Sequence, residues 1–458
     1  MNQQRLLLKR AKKNLAHQPH SANAAFNYAY YLAKDAQFEA AINMYRRALK
    51  LGVSAPEEAY LNIANIYMDH LHDNEKARKH LQKALARNPR YAGAYHNLGN
   101  LAEQIGDRDE AARYFEKCLE IDPGNDSALA RLADTRRFVN DDDPLLARLV
   151  ASAASSKDSD LLFALGRAFD QLANYEMAWQ YLSQANYLDR KVFPPYRQEQ
   201  TEAAFHRIMS QCDSEWIAQY PGISPEPVFI CGMFRTGSTL LEQVLAAHPS
   251  FTAGGESDFF PRLIAREFRD YPQGLDRITL KKLRRWEKEY TRQSRRLIDG
   301  TSRLTDKRPD NFLYIGLIKA VFPSTKFIVT ERDWRDVATS IFATRLGPGQ
   351  NYATSLEDIH HYIGLQKDLV DHWESILGPD LIRVRYEDLV GQPRETVSDL
   401  LQRLGENWDE RCLSFHKLEN TVKTASVWQV REPFHSRSIG RWKNYQQQFE
   451  DTFGTGAL

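Results

Sequence analysis

The stretch Pro227-Val-Phe-Ile-Cys-Gly-Met-Phe-Arg-Thr-Gly-Ser-Thr-Leu-Leu-Glu242 carries residue types that can hold an anion. Val228 to Cys231 form a short apolar run behind a proline, which predicts a buried strand. Gly232 and Gly237 punctuate a loop, and Ser238 and Thr239 open an amphipathic run that reaches His248 and stops at Pro249. A strand, a glycine-bearing loop and a helix N-terminus aim backbone N–H groups and the positive end of a helix dipole at one spot, which suits a cluster of anionic oxygens. An ordinary glycine turn in an α/β domain carries the same residue types, so the loop alone leaves both readings open.

The spacing nearly repeats the nucleotide phosphate loop G-x-x-x-x-G-K-[ST]. Gly232, Gly237 and Thr239 fit, but Ser238 stands where the lysine belongs. That lysine reaches the outer phosphates of a triphosphate, so its loss argues against ATP or GTP hydrolysis, the chemistry of a kinase or NTPase. Arg235 instead places a fixed cation inside the loop. Farther on, Arg332 and Ser340 lie eight residues apart, and Tyr386 closes a run Leu381-Ile-Arg-Val-Arg-Tyr-Glu387. Each has a bland reading, Arg332 as a structural ion pair and Ser340 as a small helix residue. The case for a site lies in their convergence with the first loop.

The elements that must position these residues follow from pattern. Lys326 to Thr330 predicts a second strand, running into Glu331-Arg-Asp-Trp-Arg-Asp336 and a helix over Val337 to Thr344. Leu381 to Glu387 predicts a third strand, followed by a helix from about Pro393 to Leu404. Strands alternating with helices imply a parallel sheet whose ligands sit beyond the carboxyl ends of the strands. That rule puts Arg235, Arg332 and Tyr386 on one rim.

The first half is different. Ala25-Phe-Asn-Tyr-Ala-Tyr-Tyr recurs as Ala59-Tyr-Leu-Asn-Ile-Ala-Asn, Ala94-Tyr-His-Asn-Leu-Gly-Asn and Ala128-Leu-Ala-Arg-Leu-Ala-Asp, at steps of 34 or 35 residues. A second helix follows within each unit, with Asn88-Pro89 and Asp122-Pro123 ending two of them, and Leu161 to Arg167 with Ala178 to Leu182 reads as a further copy. The period resembles the tetratricopeptide repeat, which stacks into a solenoid with a concave face for a peptide, a partner chain or another copy of itself. Tyr28, Tyr60 and Tyr95 recur at one register and read as core. The expected organisation is an N-terminal helix over 1–19, a repeat domain over 20–219, a Pro-rich linker over 220–227 and an α/β domain over 228–458.

The chain's 458 residues are too many for one core. A net charge of +1 gives no global field favouring nucleic acid or an anionic membrane. The four cysteines, Cys118, Cys212, Cys231 and Cys412, are far apart and form neither a metal ligand set nor a disulfide framework. No stretch approaches membrane-spanning length, and only three apolar residues in a row precede more charge at the N-terminus. These features predict a reducing, cytoplasmic setting, with no metal, no nucleic-acid partner and no membrane span.

Residues 225–458 resemble the sulfotransferases that use 3′-phosphoadenosine 5′-phosphosulfate, the tyrosylprotein sulfotransferase branch above all. Phe234-Arg-Thr-Gly-Ser-Thr239 looks like the family's 5′-phosphosulfate loop, and Arg332 to Ser340 like its 3′-phosphate signature. Arg385-Tyr-Glu-Asp-Leu389 is similar to a stretch whose tyrosine lies near the adenosine. His248-Pro followed by Gly254-Gly-Glu-Ser257 resembles the branch's loop with a catalytic glutamate. The resemblance implies a three-layer, phosphate-loop-like α/β sulfotransferase domain behind a tetratricopeptide solenoid. It implies donor contacts from Arg235, Thr236, Gly237, Ser238, Thr239, Arg332, Ser340, Tyr386, Ser426 and Arg441, with Glu256 as base and Lys307 near the transferring group. Arg235 and Ser426 are implied at the bridging or sulfonate oxygens, and Arg441 at the 5′ phosphate. The product nucleotide is then adenosine 3′,5′-bisphosphate. Arg441 stands where the branch has a lysine, and Asp258 where it has an arginine that helps hold acidic peptides. The acceptor is therefore open among peptide, saccharide and small molecule, with the basic stretch from Phe259 to Arg303 expected to line its side. The competing reading is a repeat scaffold that binds a protein partner and carries an inactive nucleotide-binding domain.

Overall fold

The protein is represented by a computed structural model that describes residues 3–71, 73–218, 227–295, 297–298, 302–418, 420–424 and 426–455. Apart from Pro227, the expected linker lies outside the described residues. The chain divides into two compact units, Met1–Ala168 and Phe169–Leu458.

The first unit is helical: Gln3–His17, Ala22–Lys34, Phe38–Lys50, Pro56–Asp69, Asn74–Arg87, Ala92–Ile105, Arg108–Ile121, Asp126–Asp134 and Pro144–Ala153. Side-chain caps start several of these helices, with Ser21, Asp73, Asp107 and Asn125 each accepting a hydrogen bond from the N–H three residues on. The alanine that opens each repeat has no exposed surface at Ala25, Ala59, Ala94 and Ala128. Its small side chain is what lets neighbouring helices cross closely. The recurring Tyr28, Tyr60 and Tyr95, expected in the core, are half-buried at its margin because the alanines hold the crossing points. Polar ties link successive repeats: Arg78 pairs with Glu110 at 2.8 Å, Asn97 Nδ2 donates to Asn65 Oδ1 at 2.8 Å, and Arg167 pairs with Asp134 at 2.8 Å. This is a tetratricopeptide solenoid.

The second unit holds five parallel strands: β1 (Val228–Gly232), β2 (Phe251–Ala253), β3 (Arg303–Lys307), β4 (Phe327–Glu331) and β5 (Leu381–Arg385), in the order β2-β3-β1-β4-β5. β1 is buried along its whole length, as a central parallel strand covered on both faces must be. Phe229 and Cys231 join one core with Phe260, Trp286, Tyr290, Phe312 and Trp373. Val228 and Ile230 join the other with Leu241, Val244, Ile382 and Leu400. Helices therefore cover both faces, giving three layers. Tyr175–Val192 and Gln198–Gln211, which read in sequence as a continuation of the array, belong to this unit: Phe205 and Ile208 enter its core, and Asn186 Nδ2 donates to Phe342 O at 2.8 Å.

Three local expectations shift. The third strand stops at Arg385, and Tyr386 opens the helix Tyr386–Gly391. β2 is only three residues long, and β3 reads Arg-Leu-Thr-Asp-Lys, too polar to announce a buried strand, so neither has a hydrophobic signature. Lys307, which by itself reads as an exposed lysine, ends β3 fully buried. Among the described residues no helix is long and apolar enough to cross a membrane, and the four cysteines are free and buried.

Candidate active site

The sheet order fixes where a ligand can sit. The chain leaves β1 toward β2 on one side, and leaves β4 toward β5 on the other. The loops after β1 and β4 therefore diverge, and a crevice opens between them at the carboxyl ends of neighbouring strands. Residues 233–237 follow β1, and Arg332 follows β4 directly.

The β1 loop is held from beneath. Thr236 is buried; its hydroxyl donates to Met233 O at 2.7 Å and meets Thr330 Oγ1 at 2.7 Å. Arg235 takes a left-handed backbone, φ 70°, which an L side chain adopts at a cost of about 1–2 kcal/mol. Gly237 has φ 92° and caps the helix Ser238–Ala246. A Cβ built there would lie 2.7 Å from the ring of Tyr386, so only glycine lets that ring close on the loop. Gly237→Ala is expected to cost about 2 kcal/mol or more of stability and to push Tyr386 out of place, visible as a lower unfolding midpoint in a thermal melt.

Arg235 is the hub of one wall. Its Nε donates to Ser340 Oγ at 2.9 Å, one terminal nitrogen donates to Ser426 Oγ, and the other to Gln429 Oε1 at 3.1 Å. Thr239 Oγ1 meets Thr424 Oγ1 at 3.4 Å. The β1 loop, the helix after β4, Ser426 and Gln429 are thus tied through one guanidinium.

Arg332 is the second hub. It donates to Arg235 O at 3.1 Å and to Ser438 O, and its guanidinium lies 4.7 Å from the centre of the Tyr386 ring. Its side chain is 7% exposed, its buried Nε has no hydrogen-bond partner among the described residues, and burial pulls its pKa below the usual guanidinium value. The charge of Arg441 acts in the same direction. Asp336 anchors the closing segment by accepting from Gly440 N at 2.7 Å and Trp442 N at 3.0 Å. Asp170 holds Arg441 at 2.6 Å and accepts from the Tyr445 hydroxyl.

A third group stands at the ends of β2 and β3. Backbone pairing continues past the strands, Gly254 N to Thr305 O at 2.8 Å and Lys307 N to Gly255 O at 3.0 Å. This brings Glu256 beside Lys307, with Nζ 2.6 Å from Oε1. Lys307 is wholly buried while the Glu256 side chain keeps 33% of its surface. A buried ammonium needs a partner; an exposed carboxylate can still meet a second molecule. Arg308, the rival cation, pairs instead with Asp258 at 2.9 Å and Asp310 at 2.6 Å.

Arg235, Gly237, Ser238, Thr239, Glu256, Arg332, Ser340, Tyr386, Ser426 and Arg441 line one cavity of about 280 Å³. Thr236 lies beneath the loop, and Lys307 behind Glu256. Sequence reasoning passed over Asp336, Asp170 and Gln429, because a side-chain oxygen that anchors a cation or backbone N–H groups across the fold has no local signature. It also passed over Glu242, a lone acid among Leu240, Leu241, Val244 and Leu245, a pattern that could have marked it. Among the described residues no cluster of His, Cys, Asp and Glu could hold a metal ion.

The fold and cleft define a doubly wound α/β unit built around a glycine-bearing strand-to-helix loop without the triphosphate lysine, in a chain that also carries a helical repeat array. Residues 227–410 match the model of the sulfotransferase family, and residues 57–123 and 159–192 match tetratricopeptide repeat models. The chain carries tetratricopeptide repeats and a C-terminal sulfotransferase domain. It is 26% identical over 388 residues to an uncharacterized protein of Aquifex aeolicus (strain VF5), covering 80% of this chain and 50% of that one, so it spans half that relative's length. It is 25% identical over 240 residues to a putative protein-tyrosine sulfotransferase of Caenorhabditis briggsae, covering 47% of this chain and 80% of that protein. A similar solved structure is the sulfotransferase domain of the Synechococcus PCC 7002 olefin synthase, with 20% identity, a TM-score of 0.37, and coverage of 51% of this chain and 98% of that one.

Proposed function

We propose that the sheet unit transfers a sulfuryl group from 3′-phosphoadenosine 5′-phosphosulfate to a hydroxyl or amine of an acceptor. The observation that carries this reading is the meeting of two cationic hubs, Arg235 and Arg332, in one cleft that also reaches the Glu256 carboxylate. The residues fit such a nucleotide. Arg332 Nε is a buried donor with no hydrogen-bond partner among the described residues, and the glycine at 237 lets the Tyr386 ring close on the loop. Five cationic side chains on the cleft wall, Arg235, Arg332, Arg345, Lys423 and Arg441, outnumber its three carboxylates, Glu256, Asp336 and Glu432, and favour a ligand with several negative charges.

In this reading the N–H groups of Gly237 to Thr239 hold the 5′ oxygens, while Arg332 and Ser340 hold the 3′ phosphate beside Tyr386. Glu256 takes the acceptor's proton as the acceptor oxygen or nitrogen forms its bond to sulfur. The bond from sulfur to the bridging oxygen breaks in line, and adenosine 3′,5′-bisphosphate leaves. Arg235 and Ser426 stabilise the charge that grows on the bridging oxygen. Lys307, buried behind Glu256, orients that carboxylate toward the transferring group. As in phosphoryl transfer, positioning and charge stabilisation supply most of the acceleration.

The test is incubation of the full chain with 35S-labelled donor and size-fractionated lysate. Label moving to an acceptor, with adenosine 3′,5′-bisphosphate formed in equal amount, supports transfer. Absence of label transfer together with absence of nucleotide binding removes it. The closing segment yields a smaller effect. Asp170→Asn is expected to weaken binding of adenosine 3′,5′-bisphosphate about five- to twentyfold, because Arg441 and Tyr445 lose their shared anchor. Calorimetric titration reads it.

A further inference from the structure

We infer that Glu242 is a positioning residue that locks the base-bearing turn to the donor loop. It lies on the helix Ser238–Ala246, one turn past the Ser238 that opens the helix, and is 3% exposed. Its Oε1 accepts from Gly255 N at 2.9 Å and from Thr305 Oγ1 at 3.3 Å. Gly255 precedes Glu256, and Thr305 lies two residues before Lys307 on β3. One carboxyl thus joins the three pieces whose relative placement the chemistry needs: the helix that follows the anion loop, the turn carrying the base, and the strand carrying its lysine. The inference rests on the reading of Glu256 as base.

The same geometry gives Glu242 a second property. Burial pushes its pKa up to about 7, and the Lys307 ammonium partly offsets that rise. Glu256 and Asp306 act on it as like charges. The 3₁₀ segments Glu410–Lys417 and Gln429–Arg431 also pack on this helix. Of their charged groups, Glu410 pairs with Arg394, Arg411 with Asp409, and Arg431 with the carbonyls of Leu418 and Asn420; His416 and Lys417 complete the set. Below its pKa Glu242 is neutral, and Lys307 answers to Glu256 alone. Above it, Glu242 adds a second carboxylate charge to the field that Lys307 and Glu256 share.

The experiment follows the 13C carboxyl signal of Glu256 against pH in the ligand-free full chain, the signal being assigned by its loss in Glu256→Gln. In the wild type it is expected to inflect near pH 7, where Glu242 ionises beside it. In Glu242→Gln, which keeps an oxygen for Gly255 and Thr305 but carries no charge, that inflection is expected to vanish. Glu242→Ala is expected to raise hydrogen exchange at the Gly255 amide at least tenfold, while Glu242→Gln stays within about threefold of wild type. An unchanged Glu256 profile in Glu242→Gln, or unchanged exchange in Glu242→Ala, overturns the inference. If Glu242→Ala does not fold, the Glu242→Gln profile alone decides. Failure of adenosine 3′,5′-bisphosphate to bind the wild type removes the sulfotransferase reading and leaves these ligand-free signals to be judged separately.

Discussion

Glu256→Ala is expected to lower the transfer rate by roughly 10²–10⁴-fold, the range a positioned general base supplies. Affinity for adenosine 3′,5′-bisphosphate is expected to stay within about twofold of wild type. The two effects separate because Glu256 sits at the end of the β2 turn, held by Lys307 at 2.6 Å, whereas the contacts assigned to the nucleotide come from the segments after β1, β4 and β5 and from Ser426 and Arg441. The side chain keeps a third of its surface, so truncation leaves little strain. It does leave Lys307 buried with its ion pair gone, so a modest fall in stability accompanies the kinetic loss. Single-turnover rates and calorimetry on one preparation check both halves. A variant with normal turnover removes the base assignment.

Arg235→Ala is expected to lower kcat about 10²–10³-fold, the scale on which one preorganised donor at a developing oxyanion acts. Its guanidinium reaches Ser340, Ser426 and Gln429 at once. Removing it therefore also releases Ser426 and Gln429, and binding of the product nucleotide is expected to weaken about tenfold. Arg235→Lys recovers the charge but not the planar fork that spans three partners, so it regains little of the rate. Arg235 itself has φ 70°, and part of the cost of that backbone is relieved by a residue with no side chain. Arg235→Gly is thus expected to melt no lower than Arg235→Ala while being equally slow. Thermal melts beside kcat distinguish lost chemistry from lost fold.

How much of this was legible depended on where each residue's reason for being lies. The repeat array is local: a 34-residue period, alanines at crossing points and capping residues at helix starts are all within one stretch of chain. The β1 loop is also local, because glycine at positive φ and hydroxyls at a helix N-terminus are visible in order. Arg332 and Ser340 were readable as a pair because a strand end and the following helix face converge. β2 and β3 were not, since Arg303-Leu-Thr-Asp-Lys307 owes its burial to neighbours on both sides and not to its own composition. The burial of Lys307 follows from that register. The anchoring of Gly440 and Trp442 by Asp336, and of Arg441 by Asp170, joins residues about 100 and 270 positions apart. Pairings of that span leave no periodicity behind.

The most direct test of the central claim, that the loops after β1 and β4 grip one sulfated nucleotide from two ends, is calorimetric titration of adenosine 3′,5′-bisphosphate and adenosine 5′-monophosphate into wild type and Arg332→Ala. Wild type is expected to bind the bisphosphate at one site and much more tightly than the monophosphate. Arg332→Ala is expected to lose that preference, because the buried guanidinium is assigned to the 3′ phosphate alone. Equal binding of the two nucleotides by wild type, or a preference that survives in Arg332→Ala, contradicts the account.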